Sequence, residues 1–224
     1  MSASAAQSAA PTSTDQTSVN AAVLATSTYD ASGRQPAAAA ASAAELASTK
    51  ITLLSSLGHF PDFPIPGIHF IDILPLFQDP AVHNSLLRAL ELQVLEFSEK
   101  PDVVVGLDAR GFLFGPSLAL RLNASFVPVR KQGKMPGPCV TASYEKEYGT
   151  DFFQMQEGSV KPGQKVLVVD DIIATGGSAA AAGKLVKQLG GELMGYLFIL
   201  EIPVLDGRSK LGGVPTVTLL ETNE

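Results

Sequence analysis

The chain has 224 residues, a net charge of −6 and a pI near 5.1. That length suits one sizeable domain, and the acidity argues against nucleic acid as the main partner while making any local basic cluster informative. One cysteine, Cys139, excludes an intrachain disulfide and fits a reducing compartment, and no apolar run reaches the roughly 18 residues of a membrane span.

Residues 1–40 are mostly Ala, Ser and Thr, with Leu24 the only leucine. Such a segment buries too little apolar area to offset its ordering entropy and is expected to be a disordered extension, leaving 41–224 as the folded domain. Arg34 is its only basic residue and Asp15 and Asp30 are acidic, which does not match an Arg-rich, acid-poor transit peptide; a basic start followed by a compact apolar core is missing too. Helical potential begins at Ala37 and runs to Leu57, with Leu46, Ile51, Leu53, Leu54 and Leu57 to bury and Gly58 to stop it. The string HFPDFPIPG, His59 to Gly67, holds four prolines or glycines and argues against regular structure. Ile68 to Ile73 suits a short strand. Asp79-Pro80 opens a helix with Leu86, Leu87, Leu90, Val94 and Leu95 at helical spacing.

Val103 to Leu107 is an apolar strand followed by Asp108-Ala109-Arg110-Gly111 and a helical stretch, Phe112 to Arg121. Ser125 to Val129 is a strand ending in a basic cluster. Thr141 to Tyr148 and Asp151 to Gln156 alternate around Gly149 as an antiparallel pair. Val166 to Val169 reads as a parallel strand buried on both faces, Ala-rich sequence after Ser178 as a helix ending at Gly190, and Glu192 to Glu201 and Pro215 to Leu220 as two further strands. Strands alternating with helices predict an α/β fold with a parallel sheet and right-handed connections.

The most informative stretch is Lys165 to Ala182, KVLVVDDIIATGGSAAAA. A strand is followed by two carboxylates, Asp170 and Asp171, then by Ala174-Thr175-Gly176-Gly177-Ser178 and a helix. The glycines let a ligand approach the backbone. Free N–H groups and the positive dipole end at the helix start favour an anion, and Thr175 and Ser178 add hydroxyl donors. The paired acids at a strand's carboxyl end suit the cis hydroxyls of a ribose. The turn lacks the lysine of a Walker A loop and the spacing of G-x-G-x-x-G, so neither a P-loop nor a Rossmann site fits; an ordinary strand–helix turn with two surface acids is the bland alternative.

Three further groups stand out. Arg110, beside Gly111 at a strand end, can grip phosphate with its fork of donors or merely cap the next helix. Arg130, Lys131 and Lys134 interrupt an acidic chain between Gly and Pro residues; they suit a pyrophosphate leaving group or are a solvated face. Ala142 to Gly149, ASYEKEYG, is a polar hairpin, or a loop whose carboxylate and aromatic close over a site. The histidines His59, His69 and His83 lack mutual metal-ligand spacing, and no G-x-S-x-G anchors a hydrolase.

Taken together, FPDFPIPGIHFIDI, GLDARGFLFGPSLA, VRKQGKMPGP, ASYEKEYG and VVDDIIATGGS resemble the adenine phosphoribosyltransferase family, a branch of the type I phosphoribosyltransferases, in unbroken order from about Phe60 onward. The resemblance implies the type I fold, a central parallel sheet flanked by helices with a small hood over the site. It implies transfer of adenine to 5-phosphoribosyl 1-pyrophosphate, giving AMP and pyrophosphate in purine salvage, with Mg²⁺ as cofactor, a homodimer, and a cytoplasmic enzyme. Ala174, Thr175, Gly176, Gly177 and Ser178 would hold the 5′-phosphate. Asp170 and Asp171 would bind ribose hydroxyls and order the metal, directly or through water. Asp108, Ala109 and Arg110 would form a pyrophosphate loop with a non-proline cis peptide. Arg130, Lys131 and Lys134 would receive the leaving pyrophosphate, reaching across a dimer in this family. Glu147 matches the catalytic carboxylate, with Arg110 supporting catalysis and Tyr148 on the closing loop. Phe70 and Ile172 would sandwich adenine, and the backbone of His69 would read its amino group. One departure is Ile71, where the family often has Arg, so that base recognition leans on backbone and Arg110. A transferase for hypoxanthine, guanine or xanthine is opposed by the EYG string and by the missing basic residue for a 6-oxo purine. A non-catalytic sensor of phosphoribosyl pyrophosphate is opposed by intact Glu147 and Arg110.

Overall fold

The computed structural model of the protein describes residues 36–146 and 149–221. In chain order the elements are helix α1 (Pro36–Ser55), strands β1 (Gly58–Phe60) and β2 (Phe70–Asp72), helices α2 (Pro75–Gln78) and α3 (Pro80–Val94), β3 (Val103–Leu107), α4 (Gly115–Leu122), β4 (Ser125–Lys131), β5 (Cys139–Lys146), β6 (Gly149–Gln156), β7 (Lys165–Ile173), α5 (Gly177–Gln188), β8 (Glu192–Glu201) and β9 (Thr216–Glu221). Single turns of 3₁₀ helix lie at Arg110–Phe112, Pro203–Leu205 and Gly207–Leu211.

Seven strands form one sheet in the order β5-β6-β4-β3-β7-β8-β9. From β4 to β9 neighbouring strands are parallel, while β6 runs antiparallel to β4 and β5 antiparallel to β6. The sheet is therefore mixed, a parallel centre extended by an antiparallel pair. Strands β1 and β2 make a separate antiparallel pair, Phe60 opposite Phe70, which is the small hood of the α/β fold.

The apolar runs are explained by two covered faces. Val104, Leu167, Val169, Leu197 and Ile199 point into a layer made by α1, α3 and α4. Their neighbours Val103, Val105, Val166, Val168, Tyr196 and Phe198 point the other way, into α5 and the inner residues of β5 and β6. Successive side chains of a strand alternate between faces, so a strand buried on both has no polar positions to show. Helix α1 is further tied to α3 by the Arg88 guanidinium, whose Nε and Nη2 donate to the two Glu45 oxygens at 2.8 and 3.0 Å.

Several expectations are corrected. Helix α1 starts at Pro36, within one residue of the expected Ala37, but ends at Ser55 rather than Leu57; residues 1–35 lie outside the described residues. Of the five apolar positions expected of this helix, Leu53 and, just past its end, Leu57 are buried and Leu46 packs partly, but Ile51 and Leu54 are exposed. His59 and Phe60 belong to β1 despite the prolines that follow, because a three-residue strand needs only the β2 edge and ends before Pro61. Strand β7 continues through Asp170 and Asp171 to Ile173, because β8 pairs with it as far as Ile173↔Glu201. Strand β4 likewise carries Arg130 and Lys131, which pair with Gln154 and Phe153 of β6. Neighbouring strands, rather than composition, set these ends.

Helix α3 buries Leu86, Leu87 and Leu90 against the sheet, and its start is fixed by Asp79. The Asp79 carboxylate accepts from the N–H groups of Ala81 at 2.7 Å and Val82 at 3.1 Å, with Pro80 at the first helical position. Asp79→Ala is expected to lower stability by about 1 kcal/mol, within the usual range for a lost N-cap. Urea unfolding of the two proteins measures this; an unchanged midpoint would mean that the cap contributes nothing.

Candidate active site

From β3 the chain leads through α4 to β4 on one side; from β7 it leads through α5 to β8 on the other. Adjacent parallel strands whose connections diverge leave a crevice beyond their carboxyl ends, where ligands of open α/β sheets bind. Both loops singled out in the sequence sit there. Asp108 to Gly111 follows β3, and Ala174 to Ser178 follows β7.

The β3 loop is packed onto β7. A Cβ on Gly111 would lie 2.8 Å from the Val169 carbonyl oxygen, so the small residue serves contact with the neighbouring strand. Turned back in this way, the loop brings Arg110 Nε to 2.7 Å from Asp171 Oδ2. The Asp171 side chain is only 4% exposed, and this oxygen, though in ionic contact, makes no hydrogen bond. The Asp108–Ala109 peptide is cis. Asp108 Oδ2 accepts from Arg130 Nε at 3.0 Å, which joins the end of β4 to the same crevice. Lys131, the last residue of β4, and Lys134, on the loop beyond, are both exposed.

The β7 loop has backbone geometry that suits an anion. Gly176 has φ +74° and no side chain caps helix α5, whose first residues are Gly177 and Ser178. Its early N–H groups are thus available to a ligand. A cleft of about 340 Å³ and one of about 210 Å³ meet at Arg110. The smaller is lined by Arg110, the run from Asp170 to Ala179, and Phe198. The larger lies under the hood, lined by Phe60, Phe63, Phe70, Asp72, Leu74 and Arg110. Phe63 and Phe70 meet edge to face with centroids 5.1 Å apart. One cleft is polar and acid-floored, the other aromatic, and Arg110 forms a wall of each.

Phe70 thus lies in the aromatic cleft, whereas Ile172 lines the adjoining acidic one. His69 is exposed, with its Nε2 at 3.2 Å from His59 Nδ1. Ile71 packs against the core, facing away from Phe70. Glu147 and Tyr148 lie outside the described residues. Phe60, Phe63, Asp72 and Leu74 were missed by the sequence reading. The signal for the aromatics was three phenylalanines among the prolines and glycines of residues 60–70. Among the described residues no group of three or more His, Cys, Asp or Glu is placed to hold a metal. The available donors are the two neighbouring carboxylates, hard oxygen ligands of the kind that bind Mg²⁺ together with substrate phosphates.

The acids are electrostatically frustrated. Burial pushes the Asp170 carboxyl well above the usual carboxylate range, and the adjacent Asp171 charge adds to it. Burial also raises Asp171, against the opposing pull of Arg110. A carboxyl raised by folding contributes stability below its ordinary pKa near 3.8, and that contribution is lost as pH rises through the raised value. At neutral pH the unliganded site is therefore destabilised. A cation or a hydroxyl donor bound there relieves the frustration.

Three comparisons bear on what the crevice binds. Residues 78–208 match the phosphoribosyl transferase domain family. The adenine phosphoribosyltransferase of Yarrowia lipolytica is 55% identical over 181 residues, 80% of this chain and 99% of that one. The adenine phosphoribosyltransferase of Saccharomyces cerevisiae, solved with adenine and an imino-altritol bisphosphate, superposes with a TM-score of 0.75 at 53% identity, covering 78% of this chain and 99% of that one. The trypanosomal enzyme, solved with AMP, pyrophosphate and ribose 5-phosphate, gives 0.70 at 26% identity, covering 77% of this chain and 79% of that one.

Asp170→Asn removes one charge while leaving an oxygen to accept from the Asp171 N–H, a bond of 3.0 Å in the native protein. The variant without ligand is expected to melt at a higher temperature than the native protein at pH 7. The difference should shrink as pH falls toward the ordinary carboxylate range, as the native acids take up protons. Calorimetric melts from pH 7 down into that range check this, and an equal or lower melting temperature at pH 7 would contradict it.

Proposed function

We propose how this site works from one premise: the chain belongs to the adenine phosphoribosyltransferases of the type I phosphoribosyltransferase family, enzymes that join adenine to 5-phosphoribosyl 1-pyrophosphate to give AMP and pyrophosphate. The observation that carries the residue assignments is the meeting of an aromatic cleft and an acid-floored, helix-capped cleft at Arg110. A flat apolar base fits the first. A phosphorylated ribose fits the second.

In this reading the 5′-phosphate lies on Ala174 to Ser178, held by backbone N–H groups and the hydroxyls of Thr175 and Ser178. Each charged hydrogen bond there contributes about 1.5–3 kcal/mol, more than the helix dipole at about 0.3–1 kcal/mol. Asp170 and Asp171 accept from the ribose hydroxyls. Adenine enters between Phe70 and the Ile172 side of the crevice, with the His69 backbone at its amino group and Arg110 at its edge. The pyrophosphate lies on Asp108, Ala109 and Arg110, and receives Arg130, Lys131 and Lys134 as charge develops on it.

The chemistry follows from that placement. The C1–O bond breaks with its electron pair leaving on pyrophosphate, while adenine N9 closes on C1 and gives up its proton. Positive charge builds on the ribose ring and negative charge on the leaving group. Holding both reactants in line removes much of the entropic barrier, and the cations stabilise the departing anion. Glu147 takes the N9 proton, and Tyr148 on the same loop helps exclude water. Asp170 and Asp171 would hold Mg²⁺, directly or through water, and the ion would supply positive charge against the pyrophosphorylated sugar.

The catalytic domain begins within α1, with the residues before it as an extension. The enzyme works as a homodimer in the cytoplasm, and the exposed Lys131 and Lys134 loop reaches a neighbouring subunit's site. Family resemblance supports the dimer, and the single cysteine supports the compartment. Among the described residues no helix is long and apolar enough to cross a membrane.

The test of this reading is a competition: the protein with Mg²⁺, phosphoribosyl pyrophosphate and equal adenine, hypoxanthine and guanine should yield AMP alone. IMP or GMP would overturn the purine-side assignment. Glu147→Gln is expected to lower kcat by about 10²–10⁴-fold, the usual range for a general base, with an unchanged melting temperature. Equal losses of activity and stability would contradict the role given to Glu147.

A further inference from the structure

The phosphate loop does not stand on its own bonds. Behind it lies the 3₁₀ turn Gly207–Leu211. A Cβ on Gly176 would fall 2.1 Å from the Gly207 carbonyl oxygen, and a Cβ on Gly207 would fall 2.2 Å from the Ala174 carbonyl oxygen. The two backbones are therefore in direct contact at the residue that turns the loop into α5. Among the described backbone hydrogen bonds none joins Gly207 to this loop. The contact is steric, and whatever holds Gly207 in place holds the back of the loop.

That anchor is the next residue. Arg208 Nε donates to Glu201 Oε1 at 2.8 Å and Oε2 at 3.0 Å, and Nη2 donates to Glu201 Oε2 at 2.6 Å. Nη2 also reaches Thr218 Oγ1 at 2.9 Å, and Nη1 reaches the Thr216 carbonyl at 2.7 Å. Glu201 is the last residue of β8, is 9% exposed, and accepts further from Thr218 Oγ1 at 3.2 Å. The Arg208 hydrogen bonds hold the Glu201 carboxyl below the usual range. A planar guanidinium with several donors engaged has little freedom to shift. On the far side Leu211, 4% exposed, is buried in the core beneath α5. The turn is thus pinned at Arg208 and at Leu211, and Gly207, immediately before Arg208, is pressed against the loop.

We infer that Arg208 is a positioning residue for 5-phosphoribosyl 1-pyrophosphate: through Gly207 it fixes the back of the Ala174–Ser178 loop and so aims that loop's N–H groups at the 5′-phosphate. Arg208 touches no substrate. Its effect travels from the rigid ends of β8 and β9 through one backbone contact, and the aromatic cleft does not depend on it. This inference rests on the assignment of Ala174 to Ser178 as the phosphate site.

The experiment is a set of steady-state measurements with both substrates varied. Arg208→Met keeps the aliphatic stem and removes the fork. It is expected to raise KM for phosphoribosyl pyrophosphate about tenfold, since small misplacements of a binding loop carry large penalties, and to leave KM for adenine within about twofold. Arg208→Lys, with one ammonium in place of the fork, should fall between native and Met. Gly207→Ala presses a methyl onto the loop without touching Arg208 and should reproduce the same selective rise. Ser178→Ala reports on the phosphate assignment itself. If Ser178→Ala raises KM for phosphoribosyl pyrophosphate but Arg208→Met and Gly207→Ala do not, the positioning role is wrong while the phosphate site stands. If none of the three does, the phosphate assignment falls and the positioning role with it. A lower melting temperature for Arg208→Met with both KM values unchanged, or with both raised equally, would also overturn the inference.

Discussion

The contact between Arg110 and Asp171 is the constraint on which the site depends. It joins the loop after β3 to the end of β7, neighbouring strands whose onward connections lie on opposite sides of the sheet. It exists because Gly111 lets the β3 loop lie against the Val169 carbonyl, which carries the guanidinium over the end of β7. One residue then serves as a wall for the aromatic cleft and for the acid-floored cleft. A reaction that joins a base to a sugar needs those two clefts to share a boundary, because the new bond forms across it. The contact also explains why two adjacent, largely buried carboxyls are tolerated. Arg110 opposes the burial that raises Asp171, and the residual frustration favours binding of positive charge and hydroxyl donors.

Around this contact the fold divides the work. The parallel centre of the sheet is buried on both faces and supplies rigid strand ends. The hood is a two-stranded pair with exposed Phe60 at the end of β1 and exposed Phe63 on the connection to β2, small enough to shape a base pocket without a core of its own. The basic residues are carried on β4 and the loop beyond it, with Arg130 tied to Asp108 at the mouth of the crevice. On the opposite side the ends of β8 and β9, clasped by Arg208, stiffen the turn that backs the phosphate loop. Cationic, aromatic and anion-binding groups thus come from separate elements and meet only at the strand ends.

Much of this was legible in the sequence because the relevant signals are local. Val103 to Leu107 and Glu192 to Glu201 were delimited to the residue by their composition. The DDxxATGGS string placed the phosphate loop, and Arg110 stood out beside a glycine at a strand end. Strand ends set by partners were not legible. Asp170 and Asp171 lie within β7, and Arg130 and Lys131 within β4, because β8 and β6 supply the hydrogen bonds. Short-range rules also failed at His59 and Phe60, whose strand exists only because residues ten to twelve positions later fold back beside it. The buried face of α1 was half right, since Ile51 and Leu54 have the right spacing for a core face but point away from the sheet. The brace formed by Gly207 and Arg208 carries no local motif at all. Its meaning comes from contacts with Gly176 and Glu201, 31 and 7 residues earlier in the chain. Such couplings belong to the tertiary structure alone.

The central claim is that Arg110 serves both clefts. It is tested most directly by measuring KM for each substrate in Arg110→Met beside the native enzyme. The account predicts that KM for adenine and KM for phosphoribosyl pyrophosphate rise together, each by about tenfold or more, as expected when a charged, shared binding group is removed. A variant in which one KM rises and the other stays at its native value would contradict the account, because Arg110 would then belong to a single cleft.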